Sequence, residues 1–201
     1  MQEITKNDPF GQAIAQYSKG LALGIEIGGG TGDGSTQCFK TKELFSLEVH
    51  PDRIGRHQFN MDSRQGGLAI HQLSSDPMKW MSVDQVTDFY HNTKTKLNQY
   101  FLEEIIEWHK EDFRTAAKYA YGQHNLNAKI DFLLLDGGAF SGQADMAEWF
   151  PMLKDGGFIA LDDVNDIKNH ANYSWLKEGG YSLVWQELSL RNGAAILENV
   201  S

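Results

Sequence analysis

Residues 21–36 read Leu21-Ala22-Leu23-Gly24-Ile25-Glu26-Ile27-Gly28-Gly29-Gly30-Thr31-Gly32-Asp33-Gly34-Ser35-Thr36. An apolar run that breaks into clustered glycines is the pattern of a buried strand entering a tight loop. Residues without a Cβ let such a loop turn sharply and let a ligand approach its backbone. A helix is expected to start at residues 35–39 and to aim its free N–H groups at that ligand. Three ligand classes use loops of this kind, and the residues discriminate among them. A phosphate loop needs G-x-x-x-x-G-K-[ST], but counting from Gly29 puts Ser35 where the lysine belongs. A dinucleotide fingerprint, G-x-G-x-x-G, starts with Gly28 and Gly30 but meets Asp33 in place of the third glycine. An acid-x-G-x-G-x-G series remains, made by Glu26, Gly28, Gly30 and Gly32. It suits a ligand without phosphate that carries a cationic amino-acid end.

The same grammar repeats outward from this stretch. Further short apolar runs lie at 44–49, 68–73, 130–135, 158–161, 181–185 and 194–197. Helical segments are expected at 9–19, 52–61, 141–153 and 165–177. The runs LLL and FIAL lack two-residue alternation, so both faces of those strands should be covered. Strand, glycine loop and helix in repetition predict an α/β, Rossmann-like, doubly wound sheet of seven strands. It should be mostly parallel, but residues 186–193 are too short for a crossover helix, so the last strand should pair antiparallel.

Residues 76–129 exceed an ordinary crossover and read as a helical insertion between strands 3 and 4. Ser82-Val83-Asp84-Gln85 resembles a capping box opening a helix to Asn92. A second helix is expected from Thr95 to Tyr121, stopped by Gly122. This insertion is either plain packing or a substrate lid or homodimer face.

The chain has 201 residues, room for one domain spanning 1–201. Its 18 basic and 27 acidic side chains leave a net charge of −9, which argues against nucleic-acid and membrane partners. One cysteine, Cys38, excludes a disulfide framework and a thiolate zinc site. No apolar signal segment precedes Pro9, so a soluble, cytoplasmic protein is expected.

With Glu48 closing FSLEV, IDFLLLDGG at 130–138 and LKDGGFIALDDV at 153–164, the sequence resembles the class I S-adenosylmethionine-dependent methyltransferases. The likeness runs from about Ala22 to Leu197, with Asp155 where the family usually has proline. DGGAFSG and LDDVND point to the small O-methyltransferase-like branch, including methyltransferase domain 24 and the macrocin and catechol enzymes. The resemblance implies S-adenosylmethionine held by Glu26, Gly28, Gly30, Gly32, Glu48, Ser75 and Asp136. Glu48 would accept the ribose hydroxyls. A histidine common after the fourth-strand Asp-Gly is missing here, although Phe140 could stack on a ring.

Asp136, Asp162 and Asp163 should end at one sheet edge, where their mutual repulsion invites a cation. Oxygen donors without thiolates favour Mg2+ or Mn2+, with Asn165, Asp166 or Asn169 adding oxygens. The resemblance implies the same metal set. In the alternative, Asp136 touches the cofactor and Asp163 caps the next helix. Asp136, His170 and Lys168 are the catalytic candidates, the last two as general bases. The expected reaction is O-methylation of a small-molecule or saccharide hydroxyl. Two rivals stand beside it. One is a non-catalytic binding module. The other is a nicotinamide-dependent oxidoreductase, suggested by Tyr173-x-x-x-Lys177, although Ala160 stands where that family has serine.

Overall fold

The computed structural model describes residues 4–119, 121–122 and 128–200. Strands β1 (Leu23–Ile27) and β4 (Ile130–Leu135) are buried at every position, as their unbroken apolar runs require. They lie at the centre of a seven-stranded sheet with β2 (Glu43–Leu47), β3 (Gly67–Ile70), β5 (Leu153–Asp162), β6 (Ser182–Glu187) and β7 (Ala194–Glu198). The strand order is β3-β2-β1-β4-β5-β7-β6. Pairs from β3 across to β5 are parallel. β7 runs antiparallel to both β5 and β6, as the short 186–193 connection requires.

Alternation persists inside the buried strands and builds two cores. Phe132 and Leu134 of β4 join Phe10 and Ile14 of α1 (Pro9–Tyr17) and Met61 of α2 (Pro51–Asp62). Leu133 and Leu135 point to the other face, against Trp149 of α5 (Gly142–Trp149) and Leu176 of α6 (His170–Glu178). A third cluster holds the insertion. Val86 of α3 (Val83–Asn92) and Ile105 of α4 (Leu102–Ala116) pack on Phe140 and Ile167, which follow β4 and β5.

Several expected boundaries move for physical reasons. Residues 35–39 form only a single 3-10 turn, Ser35–Gln37, because the Ser35 and Thr36 hydroxyls turn inward to a carboxylate. The Thr95–Tyr121 helix is broken. Thr95 and Asn98 close a separate 3-10 turn, Lys96–Gln99, and Glu104 caps a fresh start at the Phe101 N–H, 2.9 Å away. Part of its expected end, Ala120, lies outside the described residues, as do residues 123–127 of the insertion. Pro151 ends α5 early in a 3-10 turn, Phe150–Met152. The helix expected from residue 165 starts at His170, leaving 163–169 as a loop. Among the described residues, no helix is long and apolar enough to cross a membrane.

Candidate active site

Parallel strands carry their ligand sites at the carboxyl ends, near the reversal of strand order. Here β1 lies between β2 and β4, so Gly28–Gly32, Glu48 and Asp136 converge. Gly28 has φ +86°, and a Cβ there would come within 2.1 Å of the Asp136 carbonyl oxygen. Gly30, at φ +58°, faces open space, with nothing within 4 Å of a Cβ built on it. That opening over bare backbone fits the adenosyl cofactor implied by the motif.

Glu26 does not face the opening. It is fully buried and accepts hydrogen bonds from Ser35 Oγ (2.5 Å), Thr36 Oγ1 (2.6 Å) and Ser46 Oγ (2.5 Å). Burial raises its pKa while these hydroxyls pull it down. Glu26 therefore grips the loop from beneath. His57, absent from the sequence reading, extends this network: its Nε2 lies 2.9 Å from Ser46 Oγ. Burial, helped by His71, lowers its pKa to about 4 and keeps the ring neutral. The spacing of His57 and Met61, one helical turn apart and both buried, was the available signal.

Glu48 sits at the rim, 6% exposed. Its Oε1 accepts the Val49 (2.8 Å) and His50 (2.6 Å) N–H groups, and its Oε2 accepts that of Gly30 (2.9 Å). These bonds fix the carboxylate, and a carboxylate oxygen retains a second lone pair for a ribose hydroxyl.

Ser75 takes another place than expected. It is fully buried, donates to Asp145 (2.7 Å) and accepts from Trp80 Nε1 (3.0 Å). Asp145 also gathers Ser74 and Ser141, so Ser75 belongs to a buried brace rather than a cofactor surface. Phe140 is likewise unavailable for stacking on a ring. It is 2% exposed, packed edge-on to His109 beneath the insertion.

At the β4–β5 edge, carboxylate oxygens of Asp136, Asp162 and Asp163 lie within 4.8 Å of one another. Lys168 fills the space between them. Its Nζ stands 2.7 Å from Asp136 Oδ1 and 2.6 Å from Asp163 Oδ2. Arg191 Nη2 lies 3.0 Å from Asp162 Oδ1, and its Nη1 is 3.6 Å from Asp8. Asp163 therefore does not cap the following helix; its place before α6 is taken by Asn169, which makes no side-chain cap bond. Burial raises the Asp136 carboxyl to about 7 against the pull of Lys168. The three carboxylates outweigh burial at Lys168 and raise its pKa far above the ordinary lysine value. An ammonium so held keeps its proton, which argues against Lys168 as general base. The oxygen donors suit a divalent ion, but with Lys168 among them the site does not fit one.

Asn169, fully buried, builds this arrangement. Its amide donates to the Leu135 carbonyl (3.0 Å) and the Asp162 carbonyl (2.7 Å), tying together the ends of β4 and β5. The Lys168 carbonyl packs on Gly142, where a Cβ would approach to 1.9 Å. His170 heads α6 and lines a polar cavity of about 440 Å³ with Lys94, Lys96, Asn165, Arg191 and Asn192. Tyr173 and Lys177 are engaged elsewhere. Tyr173 donates to Gln186 (2.6 Å), and Lys177 lies 5.0 Å over the tyrosine ring.

A family model described as a methyltransferase domain matches residues 26–164, which span the glycine loop, Glu48, Asp136, Asp162 and Asp163. The chain belongs to this methyltransferase family. It is an S-adenosylmethionine-dependent enzyme of that family. Among solved structures, an rRNA methylase from Streptococcus thermophilus is 11% identical over 95% of this chain and 94% of its own, with a TM-score of 0.55. A Staphylococcus aureus protein provisionally named a caffeoyl-CoA O-methyltransferase is 13% identical over 94% and 80%, with a TM-score of 0.55. A Streptococcus mutans protein provisionally named a methyltransferase, solved with S-adenosylhomocysteine, is 11% identical over 94% and 95%, also at 0.55. At these identities the neighbours establish the fold of the methyltransferase and leave its acceptor open. A search of curated proteins finds no match to the sequence.

Proposed function

We propose that this methyltransferase methylates a hydroxyl oxygen on a small polar molecule or saccharide. The supporting observation is the position of Asp136. Its main chain forms the wall behind Gly28, and its side chain holds Lys168 on the acceptor edge. The cofactor opening and the charged edge are thus two sides of one residue. The adjoining cavity offers amide, imidazole and ammonium groups, a lining that suits an acceptor rich in hydroxyls. The net charge of −9 disfavours RNA, whose binding is dominated by phosphate neutralisation.

Bound S-adenosylmethionine supplies an electrophilic methyl on a sulfonium. Gly28 and Gly30 shape its seat, and Glu48 orients the ribose. The acceptor oxygen forms the new C–O bond as the C–S bond breaks, and the hydroxyl proton leaves. His170 is the base assigned to that proton, because it lines the acceptor cavity. Positioning of this kind accounts for most of what a methyl-transfer enzyme must do.

The test is turnover with methyl-labelled cofactor against polyols, sugars, catechols and RNA, read as S-adenosylhomocysteine formed. Label on a hydroxyl oxygen is expected, with His170→Ala lowering kcat about 10²-fold or more. Label only on RNA or on nitrogen would overturn the reading.

A further inference from the structure

Three carboxylates brought to one edge need about two positive charges if they are to stay ionised under partial burial. The chain supplies them itself. Lys168 Nζ is within 2.7 Å of Asp136 and 2.6 Å of Asp163, and Arg191 is 3.0 Å from Asp162. Together Lys168 and Arg191 bring the two positive charges that a divalent ion would bring, Arg191 being shared between Asp162 and Asp8. Both basic side chains are about nine-tenths buried, with 9% and 8% exposure, so they are fixed parts of the edge rather than surface groups.

The backbone around Lys168 is built to hold it there. Asn169 anchors the loop to the carbonyls of Leu135 and Asp162, and the Lys168 carbonyl rests on Gly142 with no room for a side chain. Asn172 completes the clamp by donating to the Gly142 carbonyl at 2.9 Å. A metal ion entering the cluster would meet the ammonium at contact distance, so the two cations exclude each other.

We propose that Lys168 takes the place of a divalent metal in this enzyme, as a built-in cation that binds and orients the acceptor oxygen. Two of the three ammonium hydrogens are committed to Asp136 and Asp163, and the third is the donor offered to the acceptor. A nearby positive charge stabilises the oxygen as its proton leaves, which is the electrostatic part of what a metal would do. Arg191 then has a positioning role: it neutralises Asp162 so that this carboxylate does not compete for Lys168. The assignment rests on the β4–β5 edge being the acceptor side.

The test is binding of Mn2+ alone, followed by the electron paramagnetic resonance of the free ion. The full chain should leave the free-ion signal undiminished. Lys168→Met, which removes the charge and keeps the length, should take up one equivalent per chain. Lys168→Arg should take up none. Uptake of one equivalent by the unaltered chain overturns the proposal, as does a folded Lys168→Met chain that takes up none. Should Lys168→Met not fold, the unaltered chain still decides. Calorimetry with S-adenosylhomocysteine on the same samples separates the two readings. An unaltered chain that does not bind S-adenosylhomocysteine would count against the cofactor site, while the cation assignment would still be decided by Mn2+ uptake in Lys168→Met.

Discussion

Gly28 and Gly30 stand in one loop, yet a methyl group at each meets different things. At Gly28 a Cβ would strike the Asp136 carbonyl at 2.1 Å; at Gly30 it would meet nothing within 4 Å. Both have positive φ, so each alanine also carries left-handed strain of about 1–2 kcal/mol. Gly28→Ala should therefore lower stability by clearly more than Gly30→Ala in a urea melt. Gly30→Ala should instead place its methyl in the opening and weaken S-adenosylhomocysteine binding at least about tenfold. Equal melts together with unchanged binding would show that the cofactor does not lie over Gly30. His57 gives a second prediction at this scale. Its pKa is about 4 in the folded chain against an ordinary 6.5, so unfolded chains take up a proton that folded ones refuse. Stability is then unaffected above pH ~6.5, falls as pH drops toward about 4, and changes no further below. The difference between about pH 7 and pH 5 should be about 2 kcal/mol. Buried Glu26 has its pKa raised and acts with the opposite sign, so the measurement is the difference between wild type and His57→Gln. Parallel stability curves for the two proteins across that interval would refute the assignment.

At the scale of elements, the insertion has its own core, in which Ile105 is fully buried against residues that follow β4 and β5. Ile105→Ala should cost about 2–5 kcal/mol by opening a cavity there. Hydrogen exchange should quicken in α3 and α4 while β1 and β4 keep their protection, because the sheet is held by two other clusters. Uniform quickening would mean that the three cores fold as one. This division explains what could be read from the sequence and what could not. The strands and the antiparallel last one were legible because apolar runs ending in glycine and a connection too short for a crossover helix are local signals. The broken helix after Thr95 was hidden by apolar residues that recur at helical spacing across the break, Leu97, Phe101, Ile105 and Trp108. Its break depends on side-chain closures, Asn98 on Thr95 and Glu104 on Phe101, that periodicity does not encode. In the site, the aspartates could be placed because they end neighbouring strands. The roles of Lys168 and Arg191 could not, since they reach the cluster from a loop after β5 and from the β6–β7 hairpin. Ser75 and Phe140 were misplaced for a related reason: residues near a strand end turn into a core as readily as toward a ligand.

Across the whole molecule, the glycine loop, the charged edge and the two sheet faces share strands β1, β4 and β5, so a ligand at the edge should stabilise the sheet as a unit. A ligand that binds only the folded chain adds RT ln(1 + [L]/Kd), about 2.7 kcal/mol at a hundredfold excess over Kd. For a domain of this size each kcal/mol raises Tm by about 2–4 °C. S-adenosylhomocysteine at that excess should therefore raise Tm by about 5–10 °C. NADH should give no shift, because Asp33 stands where the dinucleotide loop needs its third glycine, and Tyr173 is already bonded to Gln186. Mn2+ should add nothing to the S-adenosylhomocysteine shift, because Lys168 already occupies the cluster it would enter. A shift with NADH alone would move the ligand assignment from the sulfonium nucleoside to a dinucleotide. A further rise with Mn2+ would show that the metal outcompetes the lysine. Because the two nucleotide-like ligands probe the glycine loop and Mn2+ probes the aspartate cluster, a single set of melting curves reads the cofactor class and the source of the cation separately.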